Sequence, residues 1–239
     1  MKDFKANKIS TGSEAIDLLL DGGLEKDIIT TFYGPAGSGK TNIAILTSYS
    51  IAMQNKKVIY IDTEGGFSFE RLKQIAKENF DNILKKILIF KPVTFQEQKN
   101  FIFKTYDFVK KTKDIGLIVV DSIAMLYRLE LGEEARETNR ELGRQMQILS
   151  SIARKYNIPV LVTNQVYSPF EERERIEVVG GDILKYWSKC LVELRILKEG
   201  VREAILRKHR YLPEGRSIKF LIKDDGLYLY KEEDQESIL

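Results

Sequence analysis

The stretch I-I-T-T-F-Y, residues 28–33, runs directly into G-P-A-G-S-G-K-T, residues 34–41, and from Thr41 to Met53 the apolar residues Ile43, Ala44, Leu46 and Ile51 keep helical spacing. No other feature narrows the possible folds as sharply. A β-branched and aromatic run reads as a strand. The three glycines among the next eight residues permit the tight, left-handed backbone needed to pass from strand to helix at once. The pattern G-x-x-x-x-G-K-[ST], placed between strand and helix, turns backbone N–H groups inward to cradle phosphate. A strand leading so closely into a helix also commits the chain to a crossover, and so to a mostly parallel sheet covered by helices.

The chain keeps that grammar to about residue 187. Residues 9–27 read as a turn, a short helix and a glycine stop. K-K-V-I-Y-I-D-T-E, I-L-I-F-K-P and I-P-V-L-V-T-N-Q-V read as further strands, and D-I-G-L-I-V-V-D-S, apolar on both faces, as a central parallel one. Helices are expected at F-E-R-L-K-Q-I-A-K-E and over residues 96–111 and 138–157. Beyond residue 187 the strands C-L-V-E-L-R-I-L, R-E-A-I-L-R-K-H-R, S-I-K-F-L-I and G-L-Y-L-Y have short links, which permit antiparallel neighbours and not crossovers. No repeat or Pro-rich linker interrupts the series. The expectation is one α/β domain over residues 1–239, a twisted, mostly parallel sheet flanked by helices with C-terminal antiparallel strands, ending in an acidic tail at about 231–239.

Composition removes several function classes. The 239 residues are 43% hydrophobic and 31% charged, the balance of a globular chain. Apolar runs such as I-L-I-F and L-I-V-V are strand-length, well short of a membrane span, and the N-terminus M-K-D-F-K-A-N-K has no apolar leader. One Cys and one His leave no disulfide framework and no His-based zinc site; a cytoplasmic setting without membrane contact is expected. The net charge of +3 is small, but it is unevenly spread. From Lys185 to Lys223 there are eleven Lys/Arg against four Asp/Glu; from Asp224 to Leu239 there are six acids and one Lys. The basic stretch reads either as a solvated sheet edge or as a surface for phosphate.

The candidate nucleotide site comprises Gly34, Pro35, Ala36, Gly37, Ser38, Gly39, Lys40 and Thr41, with Lys40 reaching the β and γ phosphates and the Thr41 hydroxyl offered to Mg²⁺. Asp121 ends a buried strand, where ligands of open α/β sheets bind, and would hold Mg²⁺ beside Thr41. Glu64 follows another strand end and would orient and deprotonate an attacking water; the plainer alternative is an acid capping the next turn. Asp62, two residues earlier on the same strand face, is the rival functional acid. Gln165, in T-N-Q at a third strand end, would sense the γ phosphate through its amide.

These residues resemble the core of the RecA/RadA recombinase family. I-S-T-G, Y-I-D-T-E-G, L-I-V-V-D-S, N-I-P-V-L-V-T-N-Q-V and Y-L-P-E-G occur in that family's order, from residue 9 to about 226. The resemblance implies a RecA-type fold, ATP with Mg²⁺, Glu64 as the water-activating residue and Gln165 as the link from γ phosphate to the DNA loops. Archaeal recombinases proper also carry an N-terminal helical domain and an F-x-x-A docking peptide. Here eight residues precede I-S-T-G, and F-K-A-N at residues 4–7 does not fit that peptide. The second DNA-loop segment, about residues 167–179, holds four acids and two arginines, a charge that disfavours a phosphate backbone. The likeness is to the short, core-only archaeal members of the family.

Lys208, His209 and Arg210 resemble a basic triplet of those short members and are candidate contacts to a γ phosphate, that of a neighbouring subunit or the chain's own; a solvated strand end is the alternative. The first DNA-loop position, Arg128 to Arg144, mixes four Arg with five Glu, and Arg128, Arg136 and Arg140 are the candidate DNA contacts. Tyr167, Phe170, Tyr186 and Trp187 would either stack on bases or belong to the core. The implied function is accessory: an ATP- and DNA-binding protein of homologous recombination and DNA repair, with weak hydrolysis, no strand exchange of its own, and the recombinase RadA and the Holliday-junction resolvase as partners. A homo-oligomer fits the triplet. The alternatives are a DNA-stimulated motor or recombinase, a KaiC-like regulatory ATPase with no DNA role, and, more remotely, a metabolite kinase.

Overall fold

The computed structural model describes residues 7–132, 135–167, 177–178, 180–198 and 200–231. A small antiparallel pair, β1 (Lys8–Ile9) and β2 (Leu24–Glu25), brackets α1 (Glu14–Leu19), whose N-terminus is capped by the Ser13 side chain. The main sheet then forms in alternation with helices: β3 (Ile29–Gly34), α2 (Lys40–Met53), β4 (Lys57–Asp62), α3 (Phe69–Ala76), α4 (Phe80–Leu84), β5 (Ile87–Phe90), α5 (Phe95–Lys111), β6 (Ile115–Asp121), α6 (Met125–Leu129), α7 (Ala135–Tyr156), β7 (Val160–Tyr167), β8 (Glu177–Val178), α8 (Gly181–Trp187), β9 (Cys190–Lys198), β10 (Val201–Lys208), β11 (Ser217–Lys223) and β12 (Gly226–Leu229).

The strands lie in the order β12-β11-β10-β9-β3-β7-β6-β4-β5, with β8 paired to β7. From β9 to β5 every neighbour is parallel, and β10, β11 and β12 extend the edge antiparallel. The short links within the C-terminal stretch make β9, β10, β11 and β12 antiparallel to one another in turn, as expected, while α8 carries the chain across from β7 and delivers β9 parallel to β3 on its other side.

Strand alternation divides the core in two. Phe32, Val58, Tyr60, Leu117, Val119 and Leu161 face the side of α1–α4. Ile29, Ile59, Ile61, Ile118, Val120, Val160 and Val162 face α5, α7 and α8. Both sets are almost fully buried, which is why these strands read as unbroken apolar runs. The long helix α7 presents Leu142, Met146, Leu149, Ile152 and Ala153 to the second layer. It locks to α5 through Gln98, which donates to Gln145 at 2.8 Å, and through Lys99, paired with Glu141 at 2.5 Å.

The registers level the carboxyl ends of the central strands. Gly34 lies opposite Gln165, and Asp62 opposite Asp121. Four residues singled out by sequence thus meet at one edge of one sheet.

Candidate nucleotide-binding site

Gly37 and Gly39 take φ of +76° and +101°, values that a side chain would strain. Gly34 is needed for a different reason: a Cβ there would stand 2.3 Å from the Leu194 carbonyl oxygen of β9. Gly39 is also the N-cap of the 14-residue helix α2, and no side chain caps that end. The amides and dipole of the first turn therefore face the loop, an arrangement suited to an anion.

Lys40 is buried, 7% exposed, and its ammonium donates to the carbonyls of Gly34 at 2.9 Å and Pro35 at 2.8 Å. Burial lowers its pKa, and the nearby Glu64 and Asp121 carboxylates partly offset this. A desolvated cation satisfied by neutral oxygens at an uncapped helix end fits a polyphosphate. The loop lines an open cavity of about 460 Å³ with Ala36, Gly37, Gly39, Lys40, Thr41, Asn42, Glu64, Gln165, Arg202 and Ile222 around it.

Glu64 and Gln165 meet in that cavity, Gln165 Nε2 donating to Glu64 Oε2 at 3.0 Å. Asp62, the rival acid, is 1% exposed and accepts from the Gly66 and Phe67 amides at 3.0 and 3.1 Å. It shapes the turn that carries Glu64, and that turn passes Thr41: a Cβ on Gly66 would lie 3.6 Å from Thr41 Oγ1. Asp121 is buried, with Oδ2 accepting from the Tyr60 hydroxyl at 2.7 Å and Oδ1 from the Thr163 hydroxyl. Burial, and then the Asp121 charge, push the Tyr60 phenol well above its ordinary pKa, so it stays a donor.

Lys208, His209 and Arg210 lie elsewhere. β10 runs antiparallel to β9, which puts Lys208 opposite Leu191 at the amino ends of the parallel strands, across the sheet from the phosphate loop. Lys208 donates to the Lys185 carbonyl at 2.5 Å. Arg210 is bound to Glu25 and, at 2.7 Å, to Asp27; His209 Nε2 lies 3.3 Å from Glu25, with its side chain 2% exposed. Burial depresses the His209 pKa, opposed by Glu25 and reinforced by Lys8, Arg210 and Arg216.

Of the candidate DNA contacts, Arg128, Arg136 and Arg140 are exposed on α6 and α7, at the carboxyl-end side of the sheet, and Arg140 pairs with Glu137 at 2.6 Å. Tyr186 is 70% exposed, edge-on to Trp187, with the Lys189 ammonium 5.7 Å from its ring centre. Phe170 and most of the second-loop segment, like the acidic tail beyond residue 231, lie outside the described residues. Sequence reasoning missed Arg202, Ile222 and Tyr60. Strand parity puts Tyr60 on the face of Asp62, but its contact with Asp121 comes from the pairing of β4 with β6; Arg202 and Ile222 likewise join the cavity only through sheet order.

A phosphate loop at the end of a central parallel strand, an acid and an amide at neighbouring strand ends, and an antiparallel extension beyond β9 define a RecA-type P-loop fold. The Rad51 family pattern matches residues 4–229. The curated DNA repair and recombination protein RadB of Methanosphaera stadtmanae is 44% identical over 229 residues, 95% of this chain and 98% of that one. The RadB protein of Methanothermobacter thermautotrophicus is 42% identical over 231 residues, again 95% and 98%. A crystal structure of the RadB recombinase superposes with a TM-score of 0.80 at 39% identity, covering 93% of this chain and all of that one. The chain belongs to the Rad51 family, in its RadB group. Among the described residues no helix is long and apolar enough to cross a membrane.

Proposed function

We propose that the chain acts as a single RecA-type core that binds ATP with Mg²⁺ and DNA. In this reading it serves homologous recombination and DNA repair as an accessory to a principal recombinase. One contact carries the reading: Gln165 donates to Glu64 inside the phosphate-loop cavity. It joins an acid suited to orienting water to the strand that leads into the acidic segment after Tyr167. Glu64 would accept the proton of a water attacking the γ phosphate. Gln165 would exchange its bond to Glu64 for one to phosphate, and so report the nucleotide to the residues beyond it. Thr41 and Asp121 would hold Mg²⁺, which takes few protein ligands and fills its shell from phosphate and water. When bound, the ion would supply charge neutralisation on the phosphates.

The names of the relatives support a role in DNA repair and recombination. Arg128, Arg136 and Arg140 are the exposed cations this reading offers to DNA, and Arg140 would have to leave Glu137, 2.6 Å away, to contact a phosphate. RadA and the Holliday-junction resolvase are the partners this reading proposes. Lys208 and Arg210 would meet a nucleotide in a second copy packed head to tail, since within one chain they stand across the sheet from it.

The test is ATP turnover and fluorescence anisotropy with single-stranded DNA over a range of salt. Slow turnover little changed by DNA, with salt-sensitive binding, is expected. Brisk stimulation would favour the motor alternative, and no DNA binding the regulatory one. Lys40→Ala should abolish nucleotide binding. Glu64→Gln should bind as before but hydrolyse about 100-fold more slowly or worse.

A further inference from the structure

Arg202 is a cation at the phosphate loop that neither the glycine motif nor the strand-end acids account for. It stands near the start of β10, two residues past Gly200, whose φ of +72° makes the reverse turn. Its Nη1 donates to the Gly200 carbonyl at 2.9 Å, which folds the side chain back along the hairpin. Nε and Nη2 both approach the Gly37 carbonyl at 3.4 Å, long for N–H···O and therefore weak. The guanidinium lines the same cavity as Lys40, Thr41, Glu64 and Gln165.

The hairpin itself is seated on the loop. A Cβ on Gly37 would stand 3.8 Å from Ile196 Cδ1 of β9, and one on Gly34 would press on the Leu194 carbonyl. Arg202 is thus delivered to the cavity by packed backbone, not by the reach of a free side chain. Nearby arginines are committed elsewhere: Arg195 and Arg207 both pair with Glu193, at 2.5 and 2.6 Å. Among the described residues no carboxylate pairs with Arg202. A guanidinium fork held, among the described residues, by two carbonyls, the Gly37 one only at weak distance, is available for exchange with a phosphate, its preferred planar partner.

We propose that Arg202 is a nucleotide-contacting residue, which gives up the Gly37 carbonyl and takes a phosphate oxygen of the bound nucleoside triphosphate from the wall built by the β9–β10 hairpin. This rests on the nucleotide reading above. It means that two cations from distant parts of the chain, Lys40 and Arg202, hold one polyanion, and that the ligand ties the parallel core to its antiparallel extension.

The experiment is calorimetric titration of the full chain with Mg·ATP at two salt concentrations, for wild type and for Arg202→Ala, Arg202→Gln, Arg202→Lys and Lys40→Ala. Arg202→Ala and Arg202→Gln should each bind about 10-fold more weakly, with a shallower salt dependence, and Arg202→Lys, which keeps the charge but not the fork, should recover part of the loss. Gln keeps a donor for the Gly37 carbonyl and lacks charge. If Arg202→Gln binds like wild type while Arg202→Ala does not, the side chain merely holds the loop and the proposal is wrong; equal binding in all three variants also overturns it. Melting curves without ligand check the fold, and if Arg202→Ala melts early the Gln and Lys variants carry the comparison. A silent wild-type titration would instead remove the nucleotide reading, and Arg202 with it.

Discussion

Asp121 illustrates how much of a buried carboxylate's behaviour is set by neutral neighbours. Tyr60 and Thr163 each donate to one of its oxygens, fixing the plane of the carboxylate while leaving lone pairs for a further ligand. Tyr60→Phe should raise the Mg²⁺ concentration that half-saturates nucleotide binding about 10-fold, the usual scale for losing an orienting partner. Binding unchanged across a Mg²⁺ titration would show that Tyr60 has no part in positioning Asp121. His209 offers a second test, because it is the chain's one histidine. Burial lowers its folded-state pKa below the value of about 6.5 expected when unfolded. The unfolded chain therefore binds the extra proton first, so stability is complete above about 6.5 and declines as pH falls below it. The melting temperature should drop between pH 7 and pH 5.5, and His209→Gln should flatten that slope. A wild-type melting temperature constant over this window would contradict the burial assigned to the ring.

At the scale of elements, the loop is positioned from both sides. α2 supplies the uncapped amides, and β9 runs so close to β3 that Gly34 has no room for a methyl group. Gly34→Ala should destabilise the fold by about 1–3 kcal/mol through overpacking against backbone, with nucleotide affinity falling as the loop shifts; chemical denaturation and the calorimetric titration read the two effects separately. A variant as stable as wild type would mean that β9 yields easily. Most of these elements were legible beforehand, because I-I-T-T-F-Y, L-I-V-V and I-P-V-L-V carry a two-sided apolar signal that only a covered parallel strand explains. The parallel placement of β9 was not, because link length says which connections are possible and α8 is short enough to pass for one of them.

For the whole molecule, the decisive fact is that the two cationic features occupy opposite ends of one sheet. Lys40 and Arg202 face the carboxyl-end cavity, whereas Lys208 and Arg210 stand at the amino ends, beside Asp27 and Lys185. A surface that fits the other end of an identical copy makes a head-to-tail contact, which closes into a ring or continues as a filament. Sedimentation with Mg·ATP should show association beyond the monomer, and Lys208→Ala should reduce it. Lys208 suits this test because it donates to the backbone carbonyl of exposed Lys185, whereas removing Arg210 would leave the buried Glu25 poorly compensated. A monomer at every nucleotide concentration would dismiss the head-to-tail arrangement.

The sequence by itself determined the loop chemistry, the strands on which Glu64, Asp121 and Gln165 ride, and the family resemblance, because each depends on residues adjacent in the chain or repeating at the period of a strand or helix. Tertiary structure alone decided which acid faces the cavity, that Asp62 serves the turn, that the basic triplet stands across the sheet from its own loop, and that Arg202 joins Lys40. Those outcomes depend on sheet order and register, which bring together residues as far apart as Gly37 and Arg202. Local patterning carries no record of such meetings, since a strand's sequence specifies what it buries and leaves open which strand lies next to it.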